Sequence, residues 1–97
     1  MFSVYKWQNT QIAVYEPSNK QDLEYILEKY RFMRILYNGA KVYAWQADLI
    51  DHNTARKILS LSDDYIGFTI DKGQIVPSIE SIKDSLLYRF ITDFWKD

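Results

Sequence analysis

Three times along the chain, apolar and polar residues first alternate over short stretches and then switch to the three-and-four spacing of a helix face. Phe2 and Val4 alternate with Ser3 and Tyr5. After the polar break Gln8-Asn9-Thr10, the run Gln11 to Tyr15 is β-branched and aromatic, which predicts a first hairpin over Phe2–Trp7 and Gln11–Tyr15. Pro17-Ser18 ends that run. Ser18, with Gln21 three residues on, makes a capping box ahead of Leu23, Ile26, Leu27 and Tyr30, and the spacing predicts a helix over Asn19–Arg31.

Asn38-Gly39 between Phe32–Tyr37 and Ala40–Trp45 is the strongest local signal, because a type I′ turn needs positive φ at both central residues. A two-residue loop pairs Tyr37 with Ala40 and Leu36 with Lys41. Ile35 then pairs with Val42, Arg34 with Tyr43, Met33 with Ala44 and Phe32 with Trp45. Met33, Ile35, Val42 and Ala44 share the core-like face. Phe32, Arg34, Leu36, Lys41, Tyr43 and Trp45 share the other, a mixture of rings and cations.

Asp48–Ser60 puts Ile50, Thr54, Ile58 and Leu61 on one helical stripe with Ala55 and Leu59 beside it, capped by Asp48 or Asp51. Tyr65–Ile70 alternates again, and Asp71-Lys72-Gly73-Gln74 turns it into Ile75-Val76 for a third hairpin. Pro77 restricts that last strand to an edge. Ser78 caps a final helix with Ile79, Ile82, Leu86, Phe90 and Phe94 on one stripe and Leu87 and Ile91 beside it. The expected fold class is α+β, one domain over residues 1–97. It is a mainly antiparallel sheet of three hairpins, each followed by a helix (β-β-α-β-β-α-β-β-α), with the helices on one face.

Composition narrows the function classes. Twelve Lys and Arg against thirteen Asp and Glu leave a net charge of −1, without the basic excess that marks many nucleic-acid binders, so nucleic acid is not the expected partner. The absence of cysteine removes disulfides, thiolate zinc sites and cysteine nucleophiles, and one histidine is too few for the usual transition-metal cages. Neither a metal nor any other cofactor is expected. The apolar runs are far shorter than the roughly 18 residues of a membrane span, and MFSVYKWQNT lacks a signal peptide's apolar core, so a cytoplasmic protein is expected. Sixteen aromatic residues, eight of them Tyr, have two readings. Large rings give a small domain more buried area per residue, or some of them stay outside as anchors for a partner.

Phosphate loops, the G-x-S-x-G elbow, H-E-x-x-H and EF-hand spacing are all missing from the sequence. Asp63-Asp64 and Asp48/Asp51 read as caps or solvated carboxylates. What remains is Arg34, Tyr43, Trp45 and His52, which the register and the following helix bring toward one place. An Arg to hold an anion, a His to move a proton and a Tyr to donate a hydrogen bond would suit metal-independent phosphodiester chemistry. The plainer reading stacks Arg34 on the two rings and sets His52 beside a helix stripe.

The stretch from about residue 12 to 76 resembles small uncharacterised proteins encoded by tailed bacteriophages. The resemblance rests on Val14-Tyr15-Glu16-Pro17-Ser18, the Arg strand Met33-Arg34-Ile35-Leu36, a glycine turn, Val42-Tyr43-Ala44-Trp45, His52, Leu59-Ser60-Leu61 and Gly73-Gln74-Ile75. Ile35 stands where those proteins commonly carry glycine, and the C-terminal helix lies outside the pattern. The resemblance implies a phage origin, brings no activity with it, and singles out Arg34, Trp45 and His52.

The expected function is protein–protein binding, as an inhibitor of a host factor or a minor virion component, through exposed side chains of Arg34, Tyr43 and Trp45 toward a host or phage protein. A metal-independent nuclease or phosphotransfer enzyme with His52 as acid or base, Arg34 as phosphate clamp and Tyr43 as donor is the alternative. A third reading is homo-oligomerisation through the C-terminal helix, where Leu86, Leu87, Phe90, Ile91, Phe94 and Trp95 make a broad apolar surface.

Overall fold

The computed structural model describes residues 2–30, 33–46, 50–78 and 82–95. In chain order the elements are β1 (Phe2–Trp7), β2 (Thr10–Tyr15), α1 (Lys20–Lys29), β3 (Met33–Tyr37), β4 (Val42–Gln46), α2 (His52–Ile58), β5 (Ile66–Asp71), β6 (Gln74–Pro77) and α3 (Asp84–Phe90). A π turn over Ile91–Trp95 continues α3. The six strands form one fully antiparallel sheet in the order β1-β2-β4-β3-β5-β6. The alternation of three hairpins with three helices is as the sequence pattern predicts.

The helices do not share a face. On the front of the sheet, Leu23 and Ile26 of α1 and Leu86 and Phe90 of α3 pack on Met33, Ile35, Tyr37, Val42, Ala44, Ile66 and Phe68. On the back, Ala55 and Ile58 of α2 pack on Ile12, Val14, Leu36, Tyr43 and Trp45. The reason lies in the strands: β3 and β4 are apolar on both sides, so a sheet covered on one face only would leave Leu36, Tyr43 and Trp45 in water.

The central hairpin turns one residue later than the Asn-Gly signal predicts. Asn38 stays out of the left-handed region and acts through its side chain, whose Oδ1 accepts from the N–H groups of Ala40 and Lys41, both at 2.9 Å. Gly39 alone takes positive φ, 92°, with the Arg89 guanidinium donating to its carbonyl at 2.7 Å. The register consequently pairs Tyr37 with Val42, Leu36 with Tyr43, Ile35 with Ala44 and Arg34 with Trp45. Arg34 therefore does not face Tyr43. The slip of two in pairing keeps every side chain on its expected face, because strand side chains repeat with period two. The β5–β6 turn is the one with positive φ at both central residues, Lys72 at 53° and Gly73 at 78°.

Two of the three described helices begin at side-chain caps at or beside an expected residue, and the third has no side-chain cap. Asn19, not Ser18, caps α1 by accepting from the Asp22 N–H at 2.9 Å, while Asp22 accepts from the Ser18 N–H at 3.1 Å and the Tyr15 hydroxyl at 2.6 Å. Asp51 caps α2 by accepting from the Thr54 N–H at 2.7 Å. Ser78 does not cap the last helix: its N–H donates to the Gly67 carbonyl at 2.6 Å, extending the sheet, and α3 begins at Asp84. Phe32, Asp48 and Ile79, which figured in the sequence reading, lie outside the described residues.

The C-terminal apolar stripe is largely used within the chain. Leu86 and Phe90 are buried, Phe90 stacks on Phe68 with ring centres 4.3 Å apart, and Leu87, Phe94 and Trp95 pack against the front core. The broad oligomerising surface expected there is reduced to Tyr88, Ile91 and Ile82.

The two caps set an acid limit. The Tyr15 hydrogen bond, helped by Ser18, holds Asp22 below the ordinary carboxylate value of 3.8, and the Thr54 hydrogen bonds do the same for Asp51. Because both folded-state values are lowered, their contribution is present above the unfolded value and lost as pH falls through the folded ones. Urea midpoints are expected to drop as pH falls below about 4, less steeply in Asp22→Asn/Asp51→Asn. At neutral pH, Asp51→Ala is expected to cost about 1 kcal/mol, the usual loss for an N-cap.

Candidate functional site

The four residues singled out by the sequence converge on the back of the sheet, but as a packing unit. Trp45 is fully buried, and its indole N–H donates to the Ile50 carbonyl at 2.8 Å, pinning the chain just before α2. Asp51 then caps the helix and His52, its first residue, drops into the sheet with 0% of its surface exposed. The imidazole meets Trp45 edge-on, ring centres 5.6 Å apart. Its Nε2 lies 2.9 Å from the Phe68 carbonyl oxygen; since that oxygen only accepts, Nε2 carries the hydrogen.

The ring has room because residue 67 is glycine. A Cβ at Gly67 would sit 2.7 Å from His52 Cδ2 and 2.8 Å from Cγ. This is the close approach that only a residue without a side chain permits. The sequence reading missed Gly67 because its φ is ordinary and its role is set by a helix fifteen residues earlier; a glycine inside an alternating strand was the available signal.

Tyr43 is 7% exposed, and burial pushes its phenol up from the ordinary value, so it stays protonated. The expected exposure of Tyr43 and Trp45 is thus corrected: both pack in the back core with residues of α2 and β2 and with Tyr65. Arg34 is half-buried on the same face, between Trp45 on β4 and Thr69 on β5, with its Nε shielded from solvent. Its positive charge adds to the lowering of Asp51 that Thr54 begins. For acid–base chemistry this arrangement is unsuitable as it stands, since a general base must reach its substrate and His52 is sealed beneath α2. Among the described residues no three His, Asp or Glu side chains gather as a metal site, and no helix is long and apolar enough to cross a membrane.

Two other features are open to solvent. The larger is a groove of about 610 Å³ on the front, between α1 and the β5–β6 turn. Leu27, Ile70 and Trp95 give it an apolar floor, Glu24 and Glu28 stand one helical turn apart on one side, and Lys72 and Gly73 close the other. The Lys20 ammonium lies 6.0 Å from the centre of the Trp95 ring, so the indole already tolerates a cation beside it. Sequence reasoning missed this place because its residues come from three separate elements. The second feature is the outer edge of β1, where Phe2 and Val4 are exposed.

No family model, curated protein or solved structure matches this chain.

Gly67→Ala is expected to destabilise the fold by about 1–3 kcal/mol, the usual range for overpacking, measured by urea unfolding. In Gly67→Ala/His52→Ala the penalty of the added methyl should be largely relieved, giving a coupling in the double-mutant cycle that additive changes would not show.

Proposed function

We propose that this domain acts by binding another protein, as an inhibitor of a host factor or a minor component of a phage particle, with the front groove as its contact surface. The single observation carrying this is the groove itself: an apolar floor that includes an indole, bordered by paired carboxylates on α1. Trp is among the residues most enriched where binding energy concentrates, and a concave floor lets one inserted side chain lose its water completely.

The chemistry of the walls describes the partner segment. It offers one apolar side chain to Leu27, Ile70 and Trp95 and a Lys or Arg toward Glu24 and Glu28. The resemblance of residues 12 to 76 to tailed-phage proteins supports a host or phage protein as the partner. Arg34, the half-buried member of the expected binding set, lies on the other face beside the back core.

The test is capture from bacterial lysate by tagged wild type, Glu28→Lys/Trp95→Ala and Arg34→Ala, with mass spectrometry and a thermal melt of each variant. A protein retained by wild type and Arg34→Ala, and lost by the folded groove variant, is expected. Equal retention by the groove variant would remove the groove as the binding surface.

A further inference from the structure

The sheet has two edges, and they differ. At β6 the strand is four residues long and ends at Pro77, which has no N–H to offer a neighbour. At β1 the strand is six residues long and contains no proline. Its hairpin with β2 closes on Trp7 opposite Thr10 around the two-residue loop Gln8-Asn9, so Trp7, Tyr5 and Ser3 exchange both backbone hydrogen bonds with β2. The N–H and C=O groups of Phe2, Val4 and Lys6 therefore point away from the sheet. On the same residues, Phe2 is 40% and Val4 58% exposed.

We infer that β1 pairs with β1 of a second copy, antiparallel about a two-fold axis through Val4, joining the two sheets into one. The register follows from which groups are free and from charge. An axis at Ser3 or Tyr5 gives only two of the three outward-facing residues in each copy a hydrogen-bonding partner, whereas at Val4 all three are paired. Placed at Lys6 it would set two ammonium groups directly opposite each other, and placed at Phe2 it would overlap only the strand tips. At Val4 the strand matches itself: Val4 faces Val4, and Phe2 of each copy faces Lys6 of the other, a ring against a cation. On the back, Ser3 faces Tyr5 of the second copy. Lys6, which alone would guard the edge, thus has a partner in this register.

The edge is held ready for pairing. Phe2 packs against Tyr15 and Tyr30 at ring distances of 5.1 and 5.6 Å on the front, and Tyr5 and Trp7 pack into the back core. Little conformational freedom is left to lose on association. Val4, Lys6 and Ala13 are exposed on the front, so among the described residues this stretch of the edge is open to an approaching strand. Three strands separate β1 from the Ile70, Lys72 and Gly73 side of the groove.

Sedimentation from micromolar to millimolar concentration tests this. Wild type is expected to reach twice the 11.6 kDa chain mass, and Val4→Pro, which removes an outward N–H without touching the hairpin's own bonds, is expected to stay at one chain mass. Should Val4→Pro lose its circular dichroism, Val4→Lys replaces it, keeping every backbone donor while setting like charges on the axis. The chain has no cysteine of its own. Val4→Cys is expected to oxidise to a covalent dimer, since narrow antiparallel pairs hold Cα atoms about 5.5 Å apart, within disulfide range. Ser3→Cys is expected not to. A single-chain mass for wild type at every concentration, a doubled mass that survives both Val4 substitutions, or equal cross-linking by Ser3→Cys would each overturn the proposal.

Discussion

The seating of His52 beneath the sheet at Gly67 is the constraint on which the rest of the back face depends. A chain of 97 residues has to cover a six-stranded sheet on both sides, and on the back the described helix is the seven-residue α2, with Ile50, Leu59, Leu61 and Tyr65 beside it. Two side chains hold that short helix in place. Trp45 fixes the chain at Ile50 through its indole N–H, and the imidazole fills the gap that a missing Cβ leaves in β5. With those contacts made, Ala55 and Ile58 fall over Leu36, Tyr43 and Trp45 and close the core.

The front face follows different physics. There α1 and α3 lie side by side over Met33, Ile35, Phe68 and their neighbours, and the rings of Tyr37, Phe68, Phe90 and Phe94 contact one another in series. The abundance of aromatic residues is largely accounted for by this arrangement and by Trp45 and Tyr65 behind it, because a thin domain gains buried area fastest from large flat side chains. Some rings remain partly open at the margins: Trp95 in the groove, Phe2 at the sheet edge, and Tyr25 and Tyr88 on the helices. Binding through the groove and self-pairing through β1 would draw on two of these margins at opposite ends of one sheet.

The convergence of Arg34, Trp45 and His52 was legible in the sequence, since period-two alternation fixes which strand residues share a face even when the pairing slips by two. Their burial was not. Whether a face of mixed rings and cations meets water or a helix depends on where α2 crosses, and Asp48–Ser60 reads as an amphipathic helix without stating the side of the sheet on which it lands. The same limit hid the groove, whose floor is built from Leu27, Ile70 and Trp95, each unremarkable within its own element.

Local chemistry therefore determined the element list, a cap one residue from Asn19, Asp51 as one of two candidate caps, the Lys72-Gly73 turn and the grouping of residues on strand faces. These depend on interactions spanning a few residues, which a sequence displays directly. Tertiary structure contributed to the β3–β4 turn, where Arg89 of α3 donates to the Gly39 carbonyl beside the local Asn38 side-chain bonds. It also decided that the helices divide between two faces, that Gly67 exists to admit an imidazole, and that β1 is left as the open edge. Each of those outcomes rests on contacts between residues far apart in the chain, whose energies exist only once the sheet has formed.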